Sequence, residues 1–599
     1  NADETFTYTV SKEIEKNMPS TAKYSKVVIK DNVDSCLTID SVKFYAGDKD
    51  VTSSFAPTSA NKGNYLEYAA SSDLLNNKDF YGNNAGTTVK MVIKTHIDAK
   101  KVSIETLRAH GHLVENDKKT ETDIKIKNET TVTTTKADNQ GTWDVDKKVT
   151  PPPTTTDSPV PSIKDPVKKV SDSDDLNWDA TVKQDGEKTP GSHNRVTDVT
   201  NQWLYTLTQE IPAHTVELFH YKSFTITDAV DSCLSYDVKD IAIKAGDKDY
   251  TDKFDIKKGE DNSITLTAKA DVLTSDEFYG GNAGNKIVVS FPVKISADAE
   301  TLKDENLGHL EIDGKKLAHL QKVSDLQKLS GFTDLVKSKD NEYVYAFLNQ
   351  AKTHIDSQIK YEGQTGVKDR ITDKVQTAVE TADPTIKKES SKYEWQVGDK
   401  VDYTINVGDA NSNSIADNVV VTDESLPKAM LPDKDSITIS STFDKEKSGA
   451  PEDRDISKDA KIEYTEKGFV ITIPKLYRGE VATIKLTCTA KEKSTYDSIT
   501  DQWADCLEKA NADKKLTCVN GEVIENRAFV TATLMLKDKD TPPDDLERVW
   551  VNTPHLNIKK SVEKKEYKVG ETVKYTLVVT NVHEGTLARD IVITDQLQT

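Results

Sequence analysis

The chain has 599 residues, 30% of them charged and 35% hydrophobic, with a formal net charge of −20; this balance repels nucleic acid and anionic membrane surfaces, so neither is expected as a partner. A mean hydropathy of −0.61 is polar, yet 21 Tyr and periodic apolar stretches argue against disorder. No run of 18 apolar residues exists to span a bilayer, and five cysteines without a C-x-x-C pair exclude a disulfide-built scaffold and fit no zinc site.

The opening residues, NADETFTYTV, lack the basic start and apolar core of a signal peptide. Segment 24–55, YSKVVIKDNVDSCLTIDSVKFYAGDKDVTSSF, then recurs as 221–254, YKSFTITDAVDSCLSYDVKDIAIKAGDKDYTDKF. Cys36 matches Cys233, Gly47 matches Gly246, and Phe80 of FYGNNAG matches Phe278 of FYGGNAG. Three anchors at nearly one offset establish a duplication. The two DSCL cysteines read as buried small hydrophobes. A looser repeat links 392–424 with 566–595: V-G-[DE]-x-V-x-Y-T, a polar turn, then V-x-[IV]-T-D. Such alternation, with β-branched residues and Tyr, predicts half-buried strands.

Proline-containing joints occur at 149–170, 380–389 and 551–560, each followed by a strand with paired lysines. The first holds a polyproline stretch, extended and semi-rigid. The expected domains are therefore 1–152, 165–382, 384–553 and 554–599. FTYTV near the start matches LYTLT at 204–208 without the lysine strand that should precede it, and the last domain covers about a third of its pattern. The sequence thus predicts a section of a longer rod. Helical spacing appears at 322–338 and 495–515, both read as insertions. The fold class expected is all-β, as tandem immunoglobulin-like sandwiches with short helical insertions in an elongated rod.

Three positions recur in each domain. Lys388 follows Ile386, and Lys560 follows Ile558, on one strand face; Lys168 is in phase with Val170, with Lys169 the alternative. An acid ends a later strand: Asp31, Asp228, Asp423 and Asp595. Near the end of each complete domain stands an asparagine: Asn128, Asn349 and Asn526. Burying either lysine or asparagine unpartnered costs several kcal/mol. Burial lowers a lysine pKa toward a neutral nucleophile and raises an aspartate pKa toward a neutral acid. Pressed against a carboxamide, such an amine gains a high effective molarity. The expected product is a Lys–Asn amide with loss of ammonia, the Asp acting as catalyst.

This pattern resembles the isopeptide-forming domains of Gram-positive fimbrial proteins and surface adhesins. The first two domains resemble the adhesin domains related to the C-terminal domains of the antigen I/II adhesins, through the tyrosine-led strand ending in Asp31 or Asp228 and the later GDKD-[VY]-T-x-x-F. The third and fourth resemble the conserved-repeat domains of large bacterial surface proteins, through V-G-[DE]-x-V-x-Y-T and V-x-[VI]-T-D. The resemblance implies Lys168, Asp228 and Asn349 as one cross-linking set and Lys388, Asp423 and Asn526 as another. It leaves Asp31 and Asn128 without a lysine, and Lys560 and Asp595 without an asparagine. It further implies a non-enzymatic stalk or shaft on the bacterial surface, attached to the cell wall, although no LPxTG-like motif is present. Partners would be a host or neighbouring-cell ligand met by a tip outside this chain, or like subunits in a fibre. Rival readings are a ligand-binding module and the spacer of a secreted enzyme.

Other candidates are weaker. DANSNSIAD (409–417) has oxygen donors at alternate positions but lacks the glycine and the closing acid of a calcium loop, so a hairpin loop is expected. GDKD (47–50 and 246–249) reads as a polar β-turn. Asn128-Glu129-Thr130 is a glycosylation sequon read here as cross-link chemistry. His110 and His112 form a possible metal pair without evident partners, so a surface loop is expected. Cys506 and Cys518 allow a bridge, the alternative being that they and Cys488 are three buried thiols. No metal and no cofactor is expected.

Overall fold

In a computed structural model of the chain, every residue is described except 1–4, 17–20, 116–121, 173–192, 308–309, 313–314, 327–342, 358–366, 397, 425–430, 491–502, 506–521, 539, 553, 555, 583–587, 589 and 598–599. Strand dominates, and almost all pairing is antiparallel.

Alternation explains why. Strand Trp203–Ile211, WLYTLTQEI, buries every second residue from Trp203 to Ile211, as expected where one sheet face packs on a core and the other meets solvent. Paired sheets enclose three apolar cores. The first gathers residues from Tyr8 to Val160, with Leu218 and Phe219 reaching in from the second sandwich. The second runs from Val170 to Val379 and the third from Ala382 to Val549. Beyond it, strands Leu556–Val562 and Tyr575–Asn581 pair as an exposed ribbon.

Each of the second and third sandwiches opens with two successive described strands that lie in different sheets. Val167–Asp172 pairs antiparallel with Trp203–Ile211, and then His193–Val196 pairs parallel with the late strand Val375–Glu380. Likewise Pro384–Ser390 pairs antiparallel with Lys400–Asp409, and then Glu394–Gln396 pairs parallel with Asp544–Asn552.

The joint between these two sandwiches is densely bonded. The Ile415 N–H donates to the Thr197 carbonyl at 2.8 Å, and the Tyr345 hydroxyl donates to the Leu534 carbonyl at 3.0 Å. Arg195 is ion-paired with Glu380, whose other oxygen accepts from Asn411 Nδ2 at 2.9 Å. Lys475 bonds Asp198 and lies 3.7 Å from Asp417.

Several expectations change. Segment 409–417 is not a hairpin loop: it links Lys400–Asp409 to Ala416–Asp423, which lie in different sheets. Asp409 accepts bonds from the Asp383 and Asn411 amides and from the Ser414 hydroxyl, so the loop's own donors occupy its carboxylate. Of the helical readings, Val323–Leu326 is helical, but Trp503–Asp505 is a strand paired with Glu522–Thr531. There Trp503 aligns with Ile524, and sheet pairing overrides helical spacing. The rest of both segments, with Cys506 and Cys518, lies outside the described residues. Gly47 and Gly246, both at φ 60, turn two-residue hairpins, so GDKD is a β-turn.

Candidate functional site

Two cross-strand relations build the same constellation repeatedly. The first concerns lysine. Lys168 stands opposite Leu207, Lys388 opposite Ile405 and Lys560 opposite Leu577. Two residues before each partner is a tyrosine, on the same face: Tyr205, Tyr403 and Tyr575. A long side chain reaches such a diagonal neighbour, and the ammonium nitrogens lie 4.9, 5.2 and 4.4 Å from the three ring centroids. The tyrosine was legible in the repeated Y-T but was not assigned to the site.

The second relation concerns aspartate and asparagine. Asp31 pairs with Thr130 and Asp228 with Ala351; the register Thr422 with Phe529, continued by one residue, sets Asp423 opposite Ala528. Two residues before each partner stands Asn128, Asn349 or Asn526. In the third sandwich Asn526 and Ala528 share one strand, so the period of two turns acid and amide onto one buried face; Asn128 and Asn349 instead end the strands Thr122–Asn128 and Tyr343–Asn349, just before the strands that pair with the acid. In the first sandwich the diagonal is closed directly, Asn128 Nδ2 donating to Asp31 Oδ2 at 3.1 Å.

In the second and third sandwiches lysine enters that pocket. Lys168 is buried while Lys169 is exposed. Lys168 Nζ bonds Asp228 Oδ2, and Lys388 Nζ bonds Asp423 Oδ2, with all four side chains out of solvent. The strand bearing Lys388 packs against the strand bearing Asn526. Neither amide atom of Asn349 or Asn526 meets a hydrogen-bond partner among the described residues, although both side chains are buried. Burial, opposed by the adjoining carboxylate, lowers the pKa of Lys168 and of Lys388. Burial likewise raises that of Asp423 against the pull of Lys388. The third-domain pair therefore moves toward a neutral amine beside a neutral acid.

The end domains differ. Asp31 is pushed up to about 7, by burial above all and against the Asn128 hydrogen bond. In the ribbon, Lys560 Nζ reaches both oxygens of Asp595 at 2.6 and 2.8 Å, half-exposed.

Cys36 and Cys233 are buried, as expected. The histidine pair, however, is not a simple surface loop. His112 is buried, and His110 and His112 stand against Asp34 and Cys36. The loop prediction failed because the two partners lie more than 70 residues upstream. Among the described residues no helix is long and apolar enough to cross a membrane.

No protein-family model and no curated protein matches the chain. Solved structures similar to it are surface-adhesin domains and major pilins. The C-terminal domain of the Streptococcus agalactiae antigen I/II polypeptide BspA is 12% identical over 63% of this chain and 93% of its own, at a TM-score of 0.23. The C-terminal domain of the Streptococcus pyogenes antigen I/II-family protein AspA is 12% identical over 65% and 100%, at 0.31. BcpA, the major pilin subunit of Bacillus cereus, is 10% identical over 91% and 96%, at 0.23. TM-scores this low carry no argument about function.

Proposed function

We propose that the chain is a structural section of a bacterial surface adhesin or pilus shaft, braced by internal amide bonds between Lys168 and Asn349 and between Lys388 and Asn526. The observation that carries this reading is the recurrence, in two separate sandwiches, of a buried lysine on a buried aspartate together with a buried asparagine whose two amide atoms are unbonded among the described residues. An amide left so costs about 1–3 kcal/mol or more in an ordinary core, and reaction removes that cost.

The neutral amine adds to the Asn Cγ while the protonated Asp donates to Oδ1. The Asp then passes the proton lost by the amine to Nδ2. The Cγ–Nδ2 bond breaks, ammonia leaves, Oδ1 returns its proton to the Asp as the carbonyl re-forms, and the Nζ–Cγ amide bond remains. Each site turns over once, so this is self-modification rather than enzyme activity. Lys388 and Asn526 are 138 residues apart; by analogy with a disulfide, closing that loop stabilises by about 5 kcal/mol.

The four domains at 1–152, 165–382, 384–553 and 554–599 would act in series, outside the cell and at its wall. A tip elsewhere would meet a host or neighbouring-cell ligand, or like subunits would join into a fibre. Asp31 and Asn128, and Lys560 and Asp595, are the corresponding partial sets of the end domains.

Intact mass of the folded chain tests the chemistry. Each bond removes one ammonia, about 17 Da, so a deficit of two ammonias is expected. Asn526→Ala or Lys388→Ala should return one of them, and Asp423→Ala should slow or abolish the same bond. Full theoretical mass in folded wild type would end the reading.

A further inference from the structure

Asp34, Cys36, His110 and His112 of the first sandwich bring one donor atom each within 4.8 Å of the others. Cys36 Sγ is 3.5 Å from His110 Nδ1, His112 Nε2 is 3.0 Å from Asp34 Oδ2, and His110 Nδ1 is 3.9 Å from Asp34 Oδ1. From metal–ligand bonds of about 2.0–2.3 Å, a tetrahedral zinc site has donor–donor edges of about 3.3–3.6 Å; the Cys36–His110 separation falls in that range, and the two histidines face different oxygens of Asp34. His112 Nε2 is buried 3.0 Å from Asp34 Oδ2.

The backbone builds this grouping. The Cys36 N–H donates to Asp34 Oδ1 at 2.8 Å, which turns Oδ2 toward His112. Asn64 Nδ2 holds the loop through the Asp34 and Leu37 carbonyls at 2.7 and 2.8 Å. On the other side, the His112 N–H bonds the Leu107 carbonyl, and its own carbonyl accepts from Lys125.

The second sandwich keeps this frame with one donor fewer. The Cys233 N–H donates to Asp231 Oδ1 at 2.8 Å, Asn262 pins the loop, and the His319 N–H bonds the Leu302 carbonyl. His319 Nε2 lies 2.8 Å from Asp231 Oδ2 in a regular hydrogen bond, with both side chains sealed from solvent. Two residues before His319 is Leu317, where the first sandwich has His110. His110 is also the half-exposed member, through which an ion would enter.

We propose that Asp34, Cys36, His110 and His112 form a binding site for a divalent transition ion of borderline softness, zinc by its mixed N, O and S donors, and that the second sandwich has lost this site. On binding, Cys36 Sγ bonds the metal and its thiol proton passes to solvent.

The test is zinc titration of the reduced, chelator-stripped full chain against a chromophoric competitor. One zinc per chain is expected. Cys36→Ser and His110→Leu should each weaken uptake about tenfold or more, and Cys233→Ser should leave it unchanged. His110 is half-exposed, so its replacement by the residue of the second sandwich spares the fold. Cobalt(II) should show a thiolate charge-transfer band in wild type that is absent from Cys36→Ser. The proposal is overturned by no stoichiometric uptake, by uptake indifferent to both first-sandwich variants, or by uptake lost with Cys233→Ser.

Discussion

Asp31 shows what an acid in this pocket does without a lysine. Asn128 alone bonds it, and burial pushes it up to about 7 from 3.8. Between those values the folded state holds a proton that the unfolded chain has released. The contribution to stability is therefore complete below about pH 4 and declines as pH rises toward 7. The span corresponds to at most about 4 kcal/mol. Hydrogen-exchange protection of Lys23–Asn32, corrected for the intrinsic rate, should fall across that window and level off above it. Asp31→Asn should flatten the profile; an equally steep profile in that variant would show that another group titrates. In the third sandwich Lys388 meets the acid instead, and burial shifts both groups toward neutrality against their mutual attraction.

The strand carrying Asp423 depends on the hairpin that follows it. Strand Gly468–Leu476 pairs with Ala416–Asp423, and Gly468 enters at φ 153. A Cβ there would lie 1.7 Å from the Asp423 carbonyl oxygen, so only glycine permits the approach. Gly468→Ala should cost about 2 kcal/mol or more and, by moving Asp423, restore one ammonia of mass. Urea unfolding and intact mass check the two effects separately; a variant with wild-type stability would contradict this packing. Such close approaches explain how far the sequence could be read. Strand alternation, the duplication and the recurring Lys, Asp and Asn were legible because each depends on local period or repetition. The diagonal that carries Asn526 to Asp423 was not, since register is set by pairing between segments about 100 residues apart. Helical spacing misread Trp503–Asp505 because side-chain period is a weaker constraint than an available sheet edge. The histidines lost their partners in the reading for a similar reason: Asp34 and Cys36 are brought to them only by folding.

At the scale of the whole molecule the joint between the second and third sandwiches matters most. Lys475 bonds Asp198 from the third sandwich and lies near Asp417, while the Thr200 hydroxyl donates to Asp198 at 2.7 Å. Lys475→Ala leaves two carboxylates facing each other without their cation. Exchange of the amides around Thr197–Thr200 and Ile415 should quicken about tenfold, equivalent to about 1.4 kcal/mol; unchanged exchange would show that the backbone bonds alone hold the joint. The parallel pairing of each entry strand with a late strand has a mechanical corollary. Without the proposed amide bonds, tension applied to the two ends of a sandwich would draw His193–Val196 along Val375–Glu380, and Glu394–Gln396 along Asp544–Asn552, in opposite senses. Their rungs would then share the load together instead of failing one by one, as in a lap joint rather than a zip.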